Sequence, residues 1–238
     1  MIMNRYRQLT LNLSVQEEDS LENFVVGDNG YLIEMLKDFP KKHDFQLLYL
    51  YSDAGNGKTH LLNAVCRDFE RHGLSSIYLP MDDHPNLSPN ILDQVEQLDL
   101  VCIDNFEYIC GHEDWEAAIF RYFEQASVNA RKLVVSANKA PQHLPLKLLD
   151  LKSRLLGLGL VFPLRRLNDE QKLLALRSRA NFKGLELNHR LFEFLLKRYN
   201  RNIKFLFELL DKLEEISLVS HRKITPVLVK EVLQGKLG

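Results

Sequence analysis

The sequence contains few cysteines and no long apolar run. Its three cysteines, Cys66, Cys102 and Cys110, are an odd and scattered set, which argues against a disulfide framework and favours reduced thiols. No apolar run approaches the length needed to cross a bilayer, and residues 1–7 lack the apolar core of a signal peptide. Cys110 and His112 have no second pair of ligands, so we exclude a zinc site. We expect a cytoplasmic protein without membrane attachment.

A strong excess of one charge sign is also missing. The chain has 31 basic and 32 acidic residues, a net charge of −1, whereas a protein that binds DNA in bulk is usually strongly basic. Residues 168–238 hold 14 basic and 9 acidic residues, a net of +5, and residues 1–167 hold 17 and 23, a net of −6. Solvated helix faces explain this asymmetry more simply than a nucleic-acid surface. We therefore expect any contact with DNA to be mainly indirect.

The most informative segment is Ser52-Asp-Ala-Gly-Asn-Gly-Lys-Thr59, which lies between an apolar run at 45–51 and a helical pattern at 60–70. A glycine loop between strand and helix predicts a P-loop, which binds nucleotide phosphates. Lys58 would reach the β- and γ-phosphates and the Thr59 hydroxyl would ligate Mg²⁺. The alternative is a chance turn with a surface lysine, and the full pattern has glycine at position 52. The residues predicted to bind the cofactor here are Ala54, Gly55, Asn56, Gly57, Lys58, Thr59 and His60.

The order of elements predicts an α/β domain followed by an all-helical one. Apolar runs predict strands at 75–79, 98–104, 132–137 and 158–164, separated by helices at 88–96 (capped by Ser88), 114–126 and 148–156. Alternating strands and helices indicate a covered parallel sheet. After a capping box at Asn168 and Gln171, only helical patterns follow, near 169–182, 189–198, 202–219 and 226–234. We predict a tail at 1–20, an α/β domain at 21–167 and a helical domain at 168–238.

Two polar residues follow buried strands and are candidates for the chemistry around a phosphate. Asp104 ends the run Val101-Cys-Ile-Asp104, where a carboxylate holds Mg²⁺ in P-loop proteins; a capping role is the alternative. Asn105 stands where many such ATPases have a second acidic residue, and an amide cannot accept a proton usefully. Poor hydrolysis follows, unless a base lies elsewhere, for example at Glu107. Asn138 ends another strand and could orient water, although asparagine is also common in turns.

Three further features have functional and simpler interpretations. Arg154 could reach a neighbouring subunit's phosphate as an arginine finger, or form a surface ion pair. Lys204 could close over a nucleotide, or be a solvated helix lysine. The N-terminal segment alternates polar and apolar residues, which fits a peptide for a partner's groove or an edge strand of this chain. Its candidate partner-binding residues are Gln8, Leu9, Leu11 and Leu13.

Taken together, these motifs resemble the AAA+ ATPases and, among them, the DnaA group with its regulators, over essentially the whole chain. The resemblance implies an AAA+ P-loop domain with a central parallel sheet and a small helical lid. It implies that Asp104 serves Mg²⁺, that Asn138 is the sensor 1 residue and that Arg154 is an arginine finger. Lys204 replaces the sensor 2 arginine, which keeps the charge but loses the bidentate fork. It also implies a nucleotide-base segment at Phe24, Val25 and Val26.

The resemblance further implies a negative regulator of replication initiation. Such a protein binds ADP (or ATP), docks on the β sliding clamp of DNA polymerase III through residues 8–13, and stimulates ATP hydrolysis by DnaA. Its own ATPase activity would be weak or absent, and the AAA+ interface permits a homo-oligomer. The DNA-binding domain that DnaA carries after its lid has no counterpart in this sequence. Two alternatives remain open, a helicase loader of the DnaC type and a free-standing P-loop NTPase.

Overall fold

The structure is a computed structural model that describes residues 20–185, 187–198 and 203–235. The predicted partner-binding residues Gln8, Leu9, Leu11 and Leu13 lie outside these ranges, so clamp binding stays a prediction from the sequence. Within the described part of the chain, no helix is long and apolar enough to cross a bilayer.

A five-stranded parallel sheet forms the centre of the first part of the chain. Its strands are β1 (Gln46–Tyr51), β2 (Ser76–Pro80), β3 (Leu100–Asp104), β4 (Lys132–Ala137) and β5 (Gly159–Pro163). They lie in the order β2-β3-β4-β1-β5, and every pair is parallel. All residues of β3 and β4 are buried, as expected for strands covered on both faces. The predicted parallel α/β sheet is confirmed.

One helix precedes the first strand and the others lie in the connections between strands. They are α1 (Gly30–Asp38), α2 (Lys58–Arg71), α3 (Ile91–Gln94), α4 (Glu113–Val128) and α5 (Leu149–Gly157). In α4 the acidic residues Glu113, Asp114 and Glu116 occupy the first turn, where they interact favourably with the helix dipole. The apolar core between the sheet and these helices includes Trp115, Ile119 and Phe123 from α4.

The C-terminal part is helical, as predicted. It consists of α6 (Asp169–Phe182), α7 (His189–Arg198), α8 (Ile203–Ser220) and α9 (Pro226–Leu233). The predicted capping box at Asn168 and Gln171 is present, and Thr225 caps α9 with Pro226 in its first turn. Apolar residues three and four positions apart give these helices a common core, and Leu206, Leu210 and Leu213 of α8 are fully buried in it.

The described chain divides into two compact units. The first contains residues 20–22, Gly30–Asp53 and Lys58–Leu164, and the second contains Asn23–Asn29, Ala54–Gly57 and residues 165–235. The glycine-containing half of the P-loop and the predicted nucleotide-base segment therefore belong to the same unit as the helices α6–α9.

Two local predictions need correction. The helix expected at 88–96 is a single turn, α3, whose N-cap is Asn90 rather than Ser88. Ser88 instead accepts a hydrogen bond from the Asn90 N–H at 3.4 Å, as serine does in a turn. Helix α1 was not predicted; it begins at a glycine, which lowers helix propensity, although Asn29 before it is a favoured N-cap residue.

Gly159→Ala is expected to destabilise the first unit, because a Cβ at Gly159 would lie 2.4 Å from the carbonyl oxygen of Leu155. Backbone cannot move aside as a side chain can, so overpacking costs about 1–3 kcal/mol. The melting temperature of a chain this size should fall by roughly 2–12 °C. Thermal unfolding followed by circular dichroism measures the change.

Gly157→Ala is the matched control, two residues away and also at the junction of α5 and β5. A Cβ there meets nothing within 4 Å, and alanine favours a helix over glycine. Its melting temperature should equal or slightly exceed that of the wild type. Equal stability of both variants would contradict the packing argument.

Candidate functional site

The candidate site residues of the first unit lie where strands β1, β3 and β4 end. The P-loop follows β1, Asp104 is the last residue of β3, and Asn138 follows β4. Because parallel strands present their carboxyl ends at one edge of the sheet, the topology brings these segments to the same edge. Ligands of open α/β sheets bind at this edge, in the position where the strand order reverses.

Asp104 is completely buried, and its carboxylate accepts four hydrogen bonds. Oδ2 accepts from the Thr59 hydroxyl at 2.6 Å and from the Tyr78 hydroxyl at 2.8 Å. Oδ1 accepts from the Asn105 N–H at 3.0 Å and from the Ser136 hydroxyl. The direct contact between Thr59 and Asp104 joins the two residues that the sequence assigned to Mg²⁺.

The donor set at this point suits Mg²⁺. This ion prefers oxygen ligands and is usually held by one or two protein groups together with phosphate oxygens and water. A hydroxyl and a buried carboxylate in hydrogen-bond contact provide such groups. Thr59 and Asp104 would hold the ion, which would neutralise phosphate charge. Among the described residues there is no group of three or more His, Cys, Asp or Glu side chains that could hold a metal by themselves.

Lys58 is the first residue of α2, and only 7% of it is exposed. Its ammonium donates to the carbonyl oxygen of Ser52 at 2.6 Å and to that of Asp53 at 3.2 Å. Burial lowers the pKa of Lys58, while the carboxylates of Glu107 and Asp104 oppose this shift. A buried ammonium bonded to neutral carbonyls gains a strong charge partner when a phosphate binds.

The P-loop backbone turns at its two glycines. Gly55 and Gly57 have φ angles of 78° and 90°, in the region that glycine adopts without strain. Ser52 is not among the described residues with positive φ, so a serine fits where the family pattern has glycine. Nδ2 of Asn56 is buried in this loop and has no hydrogen-bond partner among the described residues, which suits a loop that receives a polar ligand.

Asn105 adopts the left-handed conformation, with φ 56° and ψ 42°. Asparagine is one of the few residues that tolerate this region. Its side-chain Nδ2 donates to Asp82 at 3.1 Å, in the segment that follows β2. The amide of Asn105 therefore stabilises the segment that follows β2. Because residue 105 is an asparagine, this position does not supply a second carboxylate next to Asp104.

Glu107 contacts the other strand end at this edge. Its Oε2 accepts a hydrogen bond from the backbone N–H of Asn138 at 3.1 Å. Burial raises the pKa of Glu107 above its usual value, while the Asn138 N–H and the Lys58 ammonium lower it in part. Like Asp104, Glu107 therefore interacts electrostatically with the ammonium of Lys58.

Within the second unit, the predicted nucleotide-base segment lies beside Gly57 of the P-loop. Cε2 of Phe24 is 3.4 Å from the position of a Cβ on Gly57, an ordinary van der Waals separation. Val25 packs against the core of α6–α9. Asn29 exchanges two hydrogen bonds with the backbone of Arg165, at 2.8 and 3.2 Å. These bonds join the end of this segment to the connection between β5 and α6.

Arg154 lies on α5 with 42% of its side chain exposed. Its Nη2 forms an ion pair with Oε1 of Glu124, on α4, at 2.7 Å. The simpler interpretation, a surface ion pair, thus describes the free protein. In the second unit, Lys204 is largely exposed in the first turn of α8, 4.0 Å from Glu208.

Sequence reasoning missed Tyr78 as a partner of Asp104. Burial raises the pKa of the Tyr78 hydroxyl, and the neighbouring Asp104 carboxylate raises it further, so this hydroxyl stays a hydrogen-bond donor. The available signal in the sequence was a tyrosine hydroxyl within a short predicted strand. Sequence reasoning also missed Ser136, although a hydroxyl within a mostly apolar buried strand indicates a specific polar partner.

Two family models match the chain. The model described as the bacterial DnaA ATPase domain matches residues 15–162, and the model described as the Hda lid domain matches residues 169–233. Together they cover both parts of the predicted organisation.

Solved structures share the fold. Domain III of the replication initiation protein DnaA from Thermotoga maritima has a TM-score of 0.78 and 20% identity, covering 92% of this chain and 97% of that one. AMPPCP-bound DnaA from Aquifex aeolicus has a TM-score of 0.70 and 21% identity, covering 85% and 67%. The Thermotoga maritima RuvB branch migration motor has a TM-score of 0.66 and 15% identity, covering 91% and 71%. The family models and the shared fold establish that this chain belongs to the Hda/DnaA-related AAA+ family.

Proposed function

We propose that the protein binds ADP with Mg²⁺ and uses the bound nucleotide to regulate DnaA. The observation that carries the nucleotide part is the hydrogen bond between Thr59 and the buried Asp104, with Lys58 at the same edge of the sheet. These groups would bind phosphate and metal, while Phe24, Val25 and Val26 would contact the base. Lys204 would take the sensor 2 role.

Weak hydrolysis of its own nucleotide follows from Asn105. An amide cannot accept the proton of an attacking water, and here it is bonded to Asp82. Asn138 would act as sensor 1, which orients water at the γ-phosphate. A protein that keeps its nucleotide serves better as a stable regulator than as a motor.

The action on DnaA would depend on Arg154. This arginine is half-exposed on the first unit, and its ion-pair partner among the described residues is an exposed carboxylate, so a partner's phosphate can displace Glu124. An arginine supplied in trans stabilises the charge that develops during phosphoryl transfer. The proposed result is hydrolysis of DnaA-bound ATP and inactive DnaA–ADP.

Residues 8–13 would tether the protein to the DNA-loaded β sliding clamp. A tether raises the effective concentration of a weak second binding surface without any new contact. The test measures hydrolysis of DnaA-bound ATP with this protein, loaded clamp and ADP, and omits each component in turn. Stimulation that needs all three supports the proposal, and no stimulation with all three present contradicts it.

Asp104→Asn is expected to remove the part of nucleotide affinity that depends on Mg²⁺. Asparagine keeps the size of the side chain and one acceptor oxygen, but it loses the charge that holds the metal. ADP affinity measured in EDTA should match the wild type, and the gain on adding Mg²⁺ should fall by about tenfold or more. Isothermal titration with and without Mg²⁺ measures both values.

Asp99→Asn is the control, because Asp99 is a carboxylate at the opposite end of the sheet bonded to Ser75 and Arg131. It should leave the Mg²⁺ dependence unchanged. If Mg²⁺ raises the ADP affinity of Asp104→Asn as much as that of the wild type, Asp104 does not hold the metal.

A further inference from the structure

Glu116 is a buried carboxylate to which neither the sequence nor the family match assigns a role. It lies in the first turn of α4 and is only 1% exposed. Its two oxygens accept hydrogen bonds from three backbone N–H groups, those of Gly111 at 2.6 Å, Lys147 at 3.0 Å and Leu148 at 2.7 Å. Such charge-assisted bonds are about twice as strong as neutral ones.

The side chains around Glu116 do not neutralise it. Among the described residues no basic side chain forms a hydrogen bond or ion pair with its carboxylate, and the ammonium of Lys147 pairs with the exposed Glu113 instead. Burying a charge is costly unless hydrogen bonds compensate it, so the carboxylate of Glu116 depends on these three backbone N–H groups. The same bonds hold the backbone segments that donate them.

Glu116 connects the loop after Asp104 to the start of α5. Gly111, with a φ of 86°, follows the short helical turn Phe106–Ile109 that begins two residues after Asp104. Leu148 is the N-cap of α5, and leucine has no side-chain acceptor for the free N–H groups there. Glu116, on another helix, accepts from the N–H of this N-cap residue and from that of Lys147 before it, and its negative charge lies at the positive end of the α5 dipole.

Helix α4 thus holds α5 at two points. Glu116 binds Lys147 and Leu148, the two residues that precede α5, and Glu124, two turns later on α4, pairs with Arg154 on the second turn of α5. The second contact is exposed and weak, so it can exchange with a partner. The first contact is buried and stays in place when Arg154 leaves Glu124.

We propose that Glu116 is a positioning residue for Arg154: its carboxylate fixes α5 relative to α4 and to the loop after Asp104, so that the arginine is presented in one place. This inference rests on the proposed function, since it concerns the arginine that would enter the site of DnaA. A displacement of about 1 Å in a catalytic group can cost roughly 100-fold in rate.

Glu116→Gln tests the proposal in the full chain. Glutamine has nearly the same size, but its NH₂ group would face N–H donors, so at least one of the three bonds is lost. The maximal rate of DnaA-bound ATP hydrolysis should fall by about 10- to 100-fold. The concentration of this protein that gives half-maximal stimulation, and its affinity for ADP, should change by less than about twofold.

Two controls separate positioning from general destabilisation. Glu113→Gln removes a neighbouring exposed carboxylate that pairs with the side chain of Lys147, and it should stimulate like the wild type. Asp99→Asn removes a carboxylate that binds the backbone N–H of Ser75 at the other end of the sheet, and it lowers stability without touching α5. A maximal rate in Glu116→Gln equal to that of the wild type would overturn the proposal. So would an equal loss of rate in Asp99→Asn.

Hydrogen exchange of the backbone amides keeps the two proposals distinguishable. In Glu116→Gln, protection should fall selectively at Gly111, Lys147, Leu148 and the first turn of α5. If the wild type fails to stimulate DnaA, the proposed function is wrong, and the exchange measurement alone decides whether Glu116 positions α5. Unchanged protection at these amides would refute the positioning role under either outcome.

Discussion

Lys58→Met is expected to lower the affinity for ADP by about 30-fold or more. Truncating one partner of a buried charged hydrogen bond costs roughly 2–5 kcal/mol, and each 1.4 kcal/mol is a factor of ten. Lys58 lies at the start of α2, is buried and forms its described hydrogen bonds with the neutral oxygens of Ser52 and Asp53, so a phosphate would give it a strong charge partner. Methionine matches the aliphatic stem of lysine in length but lacks the ammonium. Isothermal titration with ADP and Mg²⁺ measures the loss.

Lys132→Met is the matched control for this variant. Lys132 is also a buried lysine, 3% exposed, and its ammonium donates to the carbonyl oxygen of Asp44. Burial lowers the pKa of this lysine as it does for Lys58. Lys132 begins β4, at the end of the sheet opposite the candidate site, so Lys132→Met should bind ADP like the wild type. Equal affinity in both variants would show that Lys58 does not bind phosphate.

Thermal unfolding gives a second measurement of the same effect. A ligand at 100 times its dissociation constant stabilises the native state by about 2.7 kcal/mol. ADP should therefore raise the melting temperature of the wild type and of Lys132→Met by several degrees, and that of Lys58→Met by little. Without nucleotide, Lys58→Met should melt no lower than the wild type, because burial already disfavours the charged ammonium.

The features that could be predicted from the sequence have local signals. The strand pattern at 132–137 coincides with β4, and the capping box at Asn168 and Gln171 begins α6, because each depends on residues close in the chain. The P-loop is visible for the same reason, since two glycines, a lysine and a threonine lie in one short segment. The apolar run that ends in a carboxylate was enough to predict Asp104 as a candidate Mg²⁺ ligand.

What could not be predicted depends on residues that are distant in the sequence. The contact between Asp104 and Tyr78 needs the pairing of β2 with β3, and the one with Ser136 needs β4 beside β3. The ion pair of Arg154 with Glu124 and the bonds from Glu116 to the start of α5 likewise join separate helices. Polarity in a buried strand or helix face signals that such a partner exists, but only the topology identifies it.

At Asn105, the sequence and the structure each give a reason for an asparagine. The sequence shows an amide where a catalytic carboxylate would be expected, and the structure shows a left-handed backbone that asparagine tolerates well. Because its side chain donates to Asp82, replacing it would release a loop as well as change the chemistry. A variant at Asn105 would therefore not isolate the chemistry of the chain's own nucleotide from the structure of this loop.

Arg154→Ala is expected to abolish the stimulation of DnaA while leaving binding intact. An arginine finger supplied in trans contributes roughly 10³–10⁵ in rate, so stimulated hydrolysis should fall by about three orders of magnitude. The affinity of the variant for ADP and for the loaded clamp should equal that of the wild type, because Arg154 contacts only Glu124 among the residues described. Single-turnover hydrolysis of ATP bound to DnaA measures the effect.

The neighbouring variants determine whether the guanidinium itself acts. Arg154→Lys keeps the charge but loses the planar fork that bonds two phosphate oxygens, so it should recover only a small part of the rate. Glu124→Gln frees Arg154 from an exposed ion pair worth about 0–1 kcal/mol, so stimulation should stay equal or rise by no more than about fivefold. Full stimulation by Arg154→Ala would show that this arginine does not enter the DnaA site. Full activity of Arg154→Lys would instead reduce its role to that of a simple positive charge.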